Sequence, residues 1–142
     1  MNSNAQTPTK LYYEDVQVGD EIPRLIKAPV THLQLVRYAG ASGDFNPIHV
    51  DEDFAKQVGL PARILHGLWT MAQVARAHTE AAGGPEHLRR LSVQFRGMGR
   101  LGEEIVVAGT AEAGDDGAVI VHSEAEQSGQ RIIRNAVAEI SS

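Results

Sequence analysis

An α+β fold is predicted by the way the hydrophobic pattern changes along the chain. One short strand-like segment comes first, three helical segments follow, and the last of these, at about residues 67–82, is the most apolar. From residue 88 onward the apolar residues alternate with polar ones, which is typical of half-buried strands. A largely buried helix followed by a run of strands indicates an antiparallel sheet wrapped around that helix.

The chain is expected to hold one domain, because 142 residues suit a single hydrophobic core. Residues 1–10 are polar and are predicted to form a flexible tail, so the domain is expected over 11–142. Its first strand is expected near a sheet edge, where Pro23 and Pro29 are tolerated.

Two short helices are predicted next. Thr31 with Gln34 has the form of a capping box, and the helix it opens should run through Ala39 until Gly40–Gly43 loosens the chain. The second helix is expected after His49, with acidic residues in its first turn and a glycine as its stop signal.

The third helix is predicted to be buried on most sides, because it is apolar nearly all round from Leu68 to Val74, and to end at Gly83. Four strands should then follow as a meander, with turns that include Asp115-Asp116-Gly117 and Ser128–Gly129. An open sheet has unpaired edges, so we expect the chain to form a homodimer or a higher homo-oligomer.

Composition limits the classes of function. The net charge of −5 argues against nucleic-acid binding, and no run of residues is apolar enough to cross a membrane. The chain has no cysteine, and its polar start does not resemble a signal peptide, so we expect a cytoplasmic protein without disulfides or thiolate chemistry.

The segment "GDFNPIH" at residues 43–49 concentrates groups that can transfer protons. Asp44 can accept a proton at neutral pH, and His49 can accept or donate one. Asn46 can hydrogen-bond a carboxylate, a water or the loop backbone, and Pro47 restricts the backbone between them. A carboxylate and an imidazole that share one water are suited to adding water to a double bond or removing it.

A second motif, His66-Gly67, opens the long helix without a Ser, Thr, Asp or Asn cap. The first amides of that helix therefore lack a side-chain partner, and Gly67 has no side chain to block a substrate oxygen. An N–H group at this position, supported by the helix dipole, would stabilise the enolate of a thioester.

The segments "YAGASGDFNPIHVDEDFA" and "RILHGLWTMA" resemble the MaoC-like family, also called R-specific enoyl-CoA hydratase or hydratase 2. The resemblance implies a hot dog fold, in which an antiparallel sheet wraps a long helix and the assembly is usually dimeric. It implies hydration of trans-2-enoyl thioesters of coenzyme A or acyl carrier protein to (R)-3-hydroxyacyl thioesters, with no metal and no cofactor. Asp44 and His49 are then the catalytic pair, Asn46 supports them, and the Gly67 amide is the oxyanion donor.

Four residues are candidates for substrate contact: Pro47, His66, Trp69 and Arg96. Trp69 replaces the smaller aliphatic residue that is more common in the family, so it is expected to shorten or reshape the acyl tunnel. The arginine belongs to a group that could bind coenzyme A phosphates. For His66, a structural role at the helix entrance is favoured over direct catalysis.

Other interpretations remain open from the residues alone. Asp44 and Asn46 could form an Asx-turn beside a surface His49, and "HVD" at 49–51 imitates part of an iron-binding facial triad. A heteromeric hot dog dehydratase is possible, with this chain as the subunit that keeps the catalytic pair. An acyl-thioester-binding module or a thioesterase on the same fold is a further alternative, although 68–75 contains no acid to activate water.

Overall fold

The structure, a computed structural model, describes residues 16–112 and 117–141. The predicted tail at 1–10 and the first part of the predicted turn at 115–117 lie outside these residues. No helix in the described part is long and apolar enough to span a bilayer.

A five-stranded antiparallel sheet forms one layer of the fold, in the order β1-β3-β4-β5-β2. β1 is a short edge strand, as its prolines predicted, and a two-residue turn joins β4 to β5. In that turn Ser128 and Gly129 both have positive φ, 47° and 76°, as the favoured two-residue hairpin turn requires. The strands are β1 (Leu25–Lys27), β2 (Leu88–Phe95), β3 (Ile105–Glu112), β4 (Ala118–Gln127) and β5 (Gln130–Ser141).

The predicted four-strand meander is wrong for one strand. β3, β4 and β5 pair in sequence, but β2 pairs with β5 and forms the far edge of the sheet. Alternation of apolar residues fixes which face of a strand is buried, and it carries no information about which neighbour the strand pairs with.

The described residues form four α-helices: α1 (His32–Ser42), α2 (Pro47–Val50), α3 (Glu52–Gln57) and α4 (Gly67–Ala82). The capping box of Thr31 and Gln34 is formed as predicted. α1 runs three residues beyond its predicted end at Ala39, because Gly40 is accommodated within the helix and the chain leaves it only at Gly43, with φ 74°. α2 is an additional helical turn in a segment expected to lack secondary structure.

α4 has the predicted bounds and packs against the sheet, with Val74, Ala77 and Ala81 in the core. The expectation that it is buried on most sides is confirmed, apart from one exposed stripe. Leu68, Ala72, Arg76 and Glu80 are exposed, and their four-residue spacing places them along one stripe. Leu68 is 65% exposed, so an apolar residue at the start of this helix does not reach the core.

His78 is a buried histidine inside the interface between α4 and the sheet. Its Nδ1–H donates to the Val74 carbonyl at 2.7 Å, and its Nε2 has no hydrogen-bond partner within the described residues. Burial lowers the pKa of His78 below its ordinary value of 6.5. The imidazole is therefore held neutral in the folded chain.

We expect His78 to make the protein less stable in acid. Below about pH 6.5 the unfolded chain binds a proton at this position that the folded chain excludes, so this group lowers the free energy of unfolding as pH falls. Above that pH its contribution is constant. Urea unfolding of the wild type and of His78→Leu at pH 8 and pH 5.5 measures the effect: the loss between the two pH values should be smaller in the variant. An equal loss in both proteins would contradict this origin.

Candidate active site

Asp44 lies directly after the end of α1, in a turn that its own side chain stabilises. Its Oδ1 accepts a hydrogen bond from the Asn46 N–H at 3.2 Å, and its N–H donates to Ser42 Oγ at 3.2 Å. This is the turn geometry of an Asx residue, which was one of the sequence interpretations. Oδ1 is used by the backbone, so Oδ2 is the oxygen that faces the rest of the site.

Asn46 caps the short helix α2 and thereby directs the next residues inward. Its Oδ1 accepts from the Ile48 N–H at 3.2 Å, and Pro47 occupies the first helical position, where its missing N–H costs nothing. The helical turn carries His49 from the surface into the protein, where it is only 6% exposed. The interpretation of His49 as a surface residue is therefore wrong.

The ring of His49 is oriented by a backbone carbonyl. Nδ1 lies 2.7 Å from the Ile64 carbonyl oxygen, and since a carbonyl can only accept, the proton sits on Nδ1. Nε2 lies 3.7 Å from Asp44 Oδ2. With this proton on Nδ1, the ring presents Nε2 toward the carboxylate, across a gap slightly too long for a direct hydrogen bond.

His66 joins this pair to the start of α4. It is 3% exposed, and its Nε2–H donates to the Asp44 carbonyl at 3.0 Å. Its ring stacks on His49 with centroids 3.9 Å apart and planes 24° apart. The ring of Tyr38 meets His66 edge-on at 4.9 Å. The histidine is therefore held on three sides.

Gly67 is the first residue of α4, and the helix begins without a side-chain cap, as predicted. The first-turn N–H groups of a helix have no partner within it, and they point along the positive end of its dipole. A Cβ at position 67 would lie 3.2 Å from Phe95 Cε1. Glycine here leaves the amide open to a ligand that comes close to the backbone.

The segment that carries Ile64 is fixed by a salt bridge to α3. Arg63 Nε and its backbone N–H both lie 3.2 Å from Glu52 Oε2. The backbone hydrogen bond from Arg63 is the main cause that lowers the pKa of Glu52 below its ordinary value of 4.5. The carboxylate stays charged at neutral pH and holds the segment whose next residue orients His49.

Two predicted substrate-contacting residues are not drawn into this cluster. Trp69 packs against the hydrophobic core, and Lys27 Nζ lies 5.8 Å from its ring. Arg96 is exposed, and its guanidinium donates to Gln94 Oε1 at 3.1 and 3.3 Å. Trp69 lies two residues along the chain from Gly67, and Arg96 lies one residue along the chain from Phe95.

Asp44, His49 and His66 have potential metal-ligand atoms within 4.8 Å of one another. The two rings are nearly parallel, with planes 24° apart and centroids 3.9 Å apart. A metal ion lies in the plane of each imidazole that binds it, about 2 Å from the nitrogen. Two nearly parallel ring planes do not intersect within about 2 Å of a nitrogen of each ring. This arrangement therefore does not suit one metal ion bound by both histidines. The iron-triad interpretation needs Asp51, which does not belong to this group of ligand atoms within the described residues.

Sequence reasoning missed the partners that complete the site. The Ile64 carbonyl and Tyr38 carry no recognisable signal, because their roles depend on contacts with residues far along the chain. Phe95 follows the alternation of apolar and polar residues along its strand, but it is 50% exposed. Its contact with Gly67 could not be predicted because the position of β2 in the sheet was not known.

Comparison with known proteins agrees with this fold. Residues 15–131 match the family described as "MaoC like domain". The chain is 32% identical over 98 residues to the 3-hydroxybutyryl-CoA dehydratase of Methylorubrum extorquens, covering 68% of this chain and 61% of that protein. It is 36% identical over 120 residues to the fatty acid synthase beta subunit hexB of Dothistroma septosporum, covering 82% of this chain and 6% of that protein.

Among solved structures, one entitled "MaoC-like dehydratase" superposes with a TM-score of 0.86 at 34% identity, covering 96% of this chain and 44% of that one. The chain therefore spans less than two thirds of the length of each of these three proteins. The five-stranded antiparallel sheet around a central helix is the hot dog fold. The chain belongs to the MaoC-like dehydratase family.

Proposed function

We propose that this chain is a hydro-lyase that reversibly hydrates trans-2-enoyl thioesters to (R)-3-hydroxyacyl thioesters. The observation that carries the proposal is the 3.7 Å approach of His49 Nε2 to Asp44 Oδ2, next to the uncapped start of α4. Relatives named as a 3-hydroxybutyryl-CoA dehydratase and a fatty acid synthase subunit support an acyl thioester substrate. The (R) configuration follows the family resemblance.

In this mechanism the pair shares the proton transfers. In hydration, Asp44 and His49 bind one water between them and remove a proton from it as its oxygen bonds to C3 of the enoyl group. Electron density moves to the thioester oxygen, where the Gly67 N–H stabilises the developing enolate. The pair then returns a proton to C2, which restores its starting protonation state.

A paired assembly is part of the proposal. β1 and β2 are open edges within the described part of the sheet, and unpaired strand edges favour association. We propose a homodimer or a higher homo-oligomer. In the heteromeric alternative, a second hot dog chain replaces the like copy, and this chain remains the active half because it keeps Asp44 and His49. A cytoplasmic location stays a prediction from the sequence.

The direct test is to mix the purified protein with crotonyl-CoA and follow the ultraviolet absorbance of the conjugated thioester. Loss of absorbance, with an (R)-3-hydroxyacyl product on chiral analysis, is expected. No loss with short, long or branched enoyl-CoAs, or with the corresponding acyl carrier protein thioesters, would contradict the proposal.

Removing either member of the pair should nearly abolish turnover and leave the fold intact. We expect Asp44→Asn and His49→Ala each to lower kcat by about 10²–10⁴-fold, the range typical of general acid–base groups. The double variant should be little worse than either single one, because the groups act together. Matched controls are Asp53→Asn and His122→Ala, both at exposed positions outside the site. Near-normal rates in Asp44→Asn and His49→Ala would rule out the assignment.

His66 should act by positioning Asp44 and His49. His66→Phe keeps an aromatic ring against His49 but loses the N–H that donates to the Asp44 carbonyl, whereas His66→Gln keeps a donor and loses the stacking. We expect each to lower kcat by about tenfold, with little change in KM, since a misplaced catalytic group costs rate more than binding. The pH profile of kcat should also change shape. An increase confined to KM would indicate that His66 contacts the substrate instead.

A further inference from the structure

The ring of Phe95 lies directly against the first residue of α4. Its Cε1, Cδ1 and Cζ atoms are 3.2, 3.4 and 3.7 Å from the position that a Cβ of residue 67 would occupy. Phe95 is the last residue of β2, and its Cα partner in β5 is Ile133. The far edge of the sheet therefore reaches the same backbone amide that the proposed mechanism uses.

This ring is placed differently from an ordinary core aromatic. Phe95 is 50% exposed, and Leu68, beside Gly67, is 65% exposed. Earlier inward-facing residues of the same strand, Leu91 and Val93, are only partly exposed and pack against the core. The ring of Phe95 instead lies against Gly67, and half of the residue's surface is exposed. Phe95 therefore forms an apolar surface beside the uncapped start of α4.

We infer that Phe95 is a specificity-determining residue that forms one wall of the thioester site and restricts substituents at C2 of the enoyl group. The inference rests on the proposed function. A thioester oxygen bound by the Gly67 N–H would lie about 2.9 Å from that nitrogen. C2 is only two bonds from this oxygen, so a group attached to C2 lies within reach of a ring that touches Gly67.

The contact lies on the side of Gly67 where a Cβ would project. The ring is therefore expected to obstruct substrates with a methyl group at C2 and to leave room for unbranched ones.

The test compares crotonyl-CoA with 2-methylcrotonyl-CoA in the wild type, Phe95→Leu and Phe95→Ala. The ratio of kcat/KM for the branched over the unbranched substrate should rise by about tenfold or more in Phe95→Ala, the effect of one hydrocarbon group in an apolar pocket. Phe95→Leu should show a smaller rise and keeps an apolar residue on the strand. Met98→Ala is the matched control, because Met98 is 46% exposed and three residues further along.

A second arm tests the contact itself through a double-mutant cycle. Gly67→Ala introduces a Cβ that would approach the Phe95 ring at 3.2 Å. If this steric contact operates in the working enzyme, the loss in kcat/KM caused by Gly67→Ala should be at least several-fold smaller in a Phe95→Ala background. Thermal unfolding of each variant separates this result from loss of fold.

The outcomes separate the inference from the function on which it rests. An unchanged substrate ratio in Phe95→Ala, or an equal cost of Gly67→Ala in both backgrounds, overturns the role of Phe95 and leaves the hydratase proposal standing. A folded wild type that hydrates neither substrate, nor the corresponding carrier-protein thioesters, overturns both.

Discussion

The hydrogen bond from His49 Nδ1–H to the Ile64 carbonyl is the constraint on which the candidate site depends. At 2.7 Å it fixes both the orientation of the ring and the position of its proton. The partner segment is itself held: the Ile64 N–H donates to the Ile48 carbonyl at 3.2 Å, and Ile64 bridges to Arg100 beyond the end of β2. α2 and the segment between β2 and β3 thus hold the carbonyl that aims Nε2 at Asp44.

The stacked rings of His49 and His66 connect two parts of the site that are far apart in the sequence. Asp44 and Gly67 belong to different segments, one following α1 and the other opening α4. His66 contacts both, through its hydrogen bond to the Asp44 carbonyl and through the peptide bond to Gly67. The groups proposed for proton transfer and for oxyanion stabilisation are therefore held together by His66.

Local signals in the sequence predicted most of the fold and the inner part of the site. The capping box at Thr31, the glycine after α4 and the bounds of α4 depend on neighbouring residues, so they could be predicted. The pairing of β2 with β5 could not, because alternation does not identify the neighbouring strand. The contact of Phe95 with Gly67 depends on that pairing. The exposure of Leu68 depends on how α4 is rotated against the sheet, which composition does not determine.

The protonation of His49 tests the central claim most directly, because the proposed chemistry needs an unprotonated Nε2 facing the carboxylate. Nitrogen-15 NMR of the histidine-labelled protein at pH 8, with the His49 signals assigned by comparison with His49→Gln, distinguishes the two tautomers. The account predicts a proton on Nδ1 and a free lone pair on Nε2. A proton on Nε2 would mean that the Ile64 carbonyl does not set the ring, and it would contradict the account.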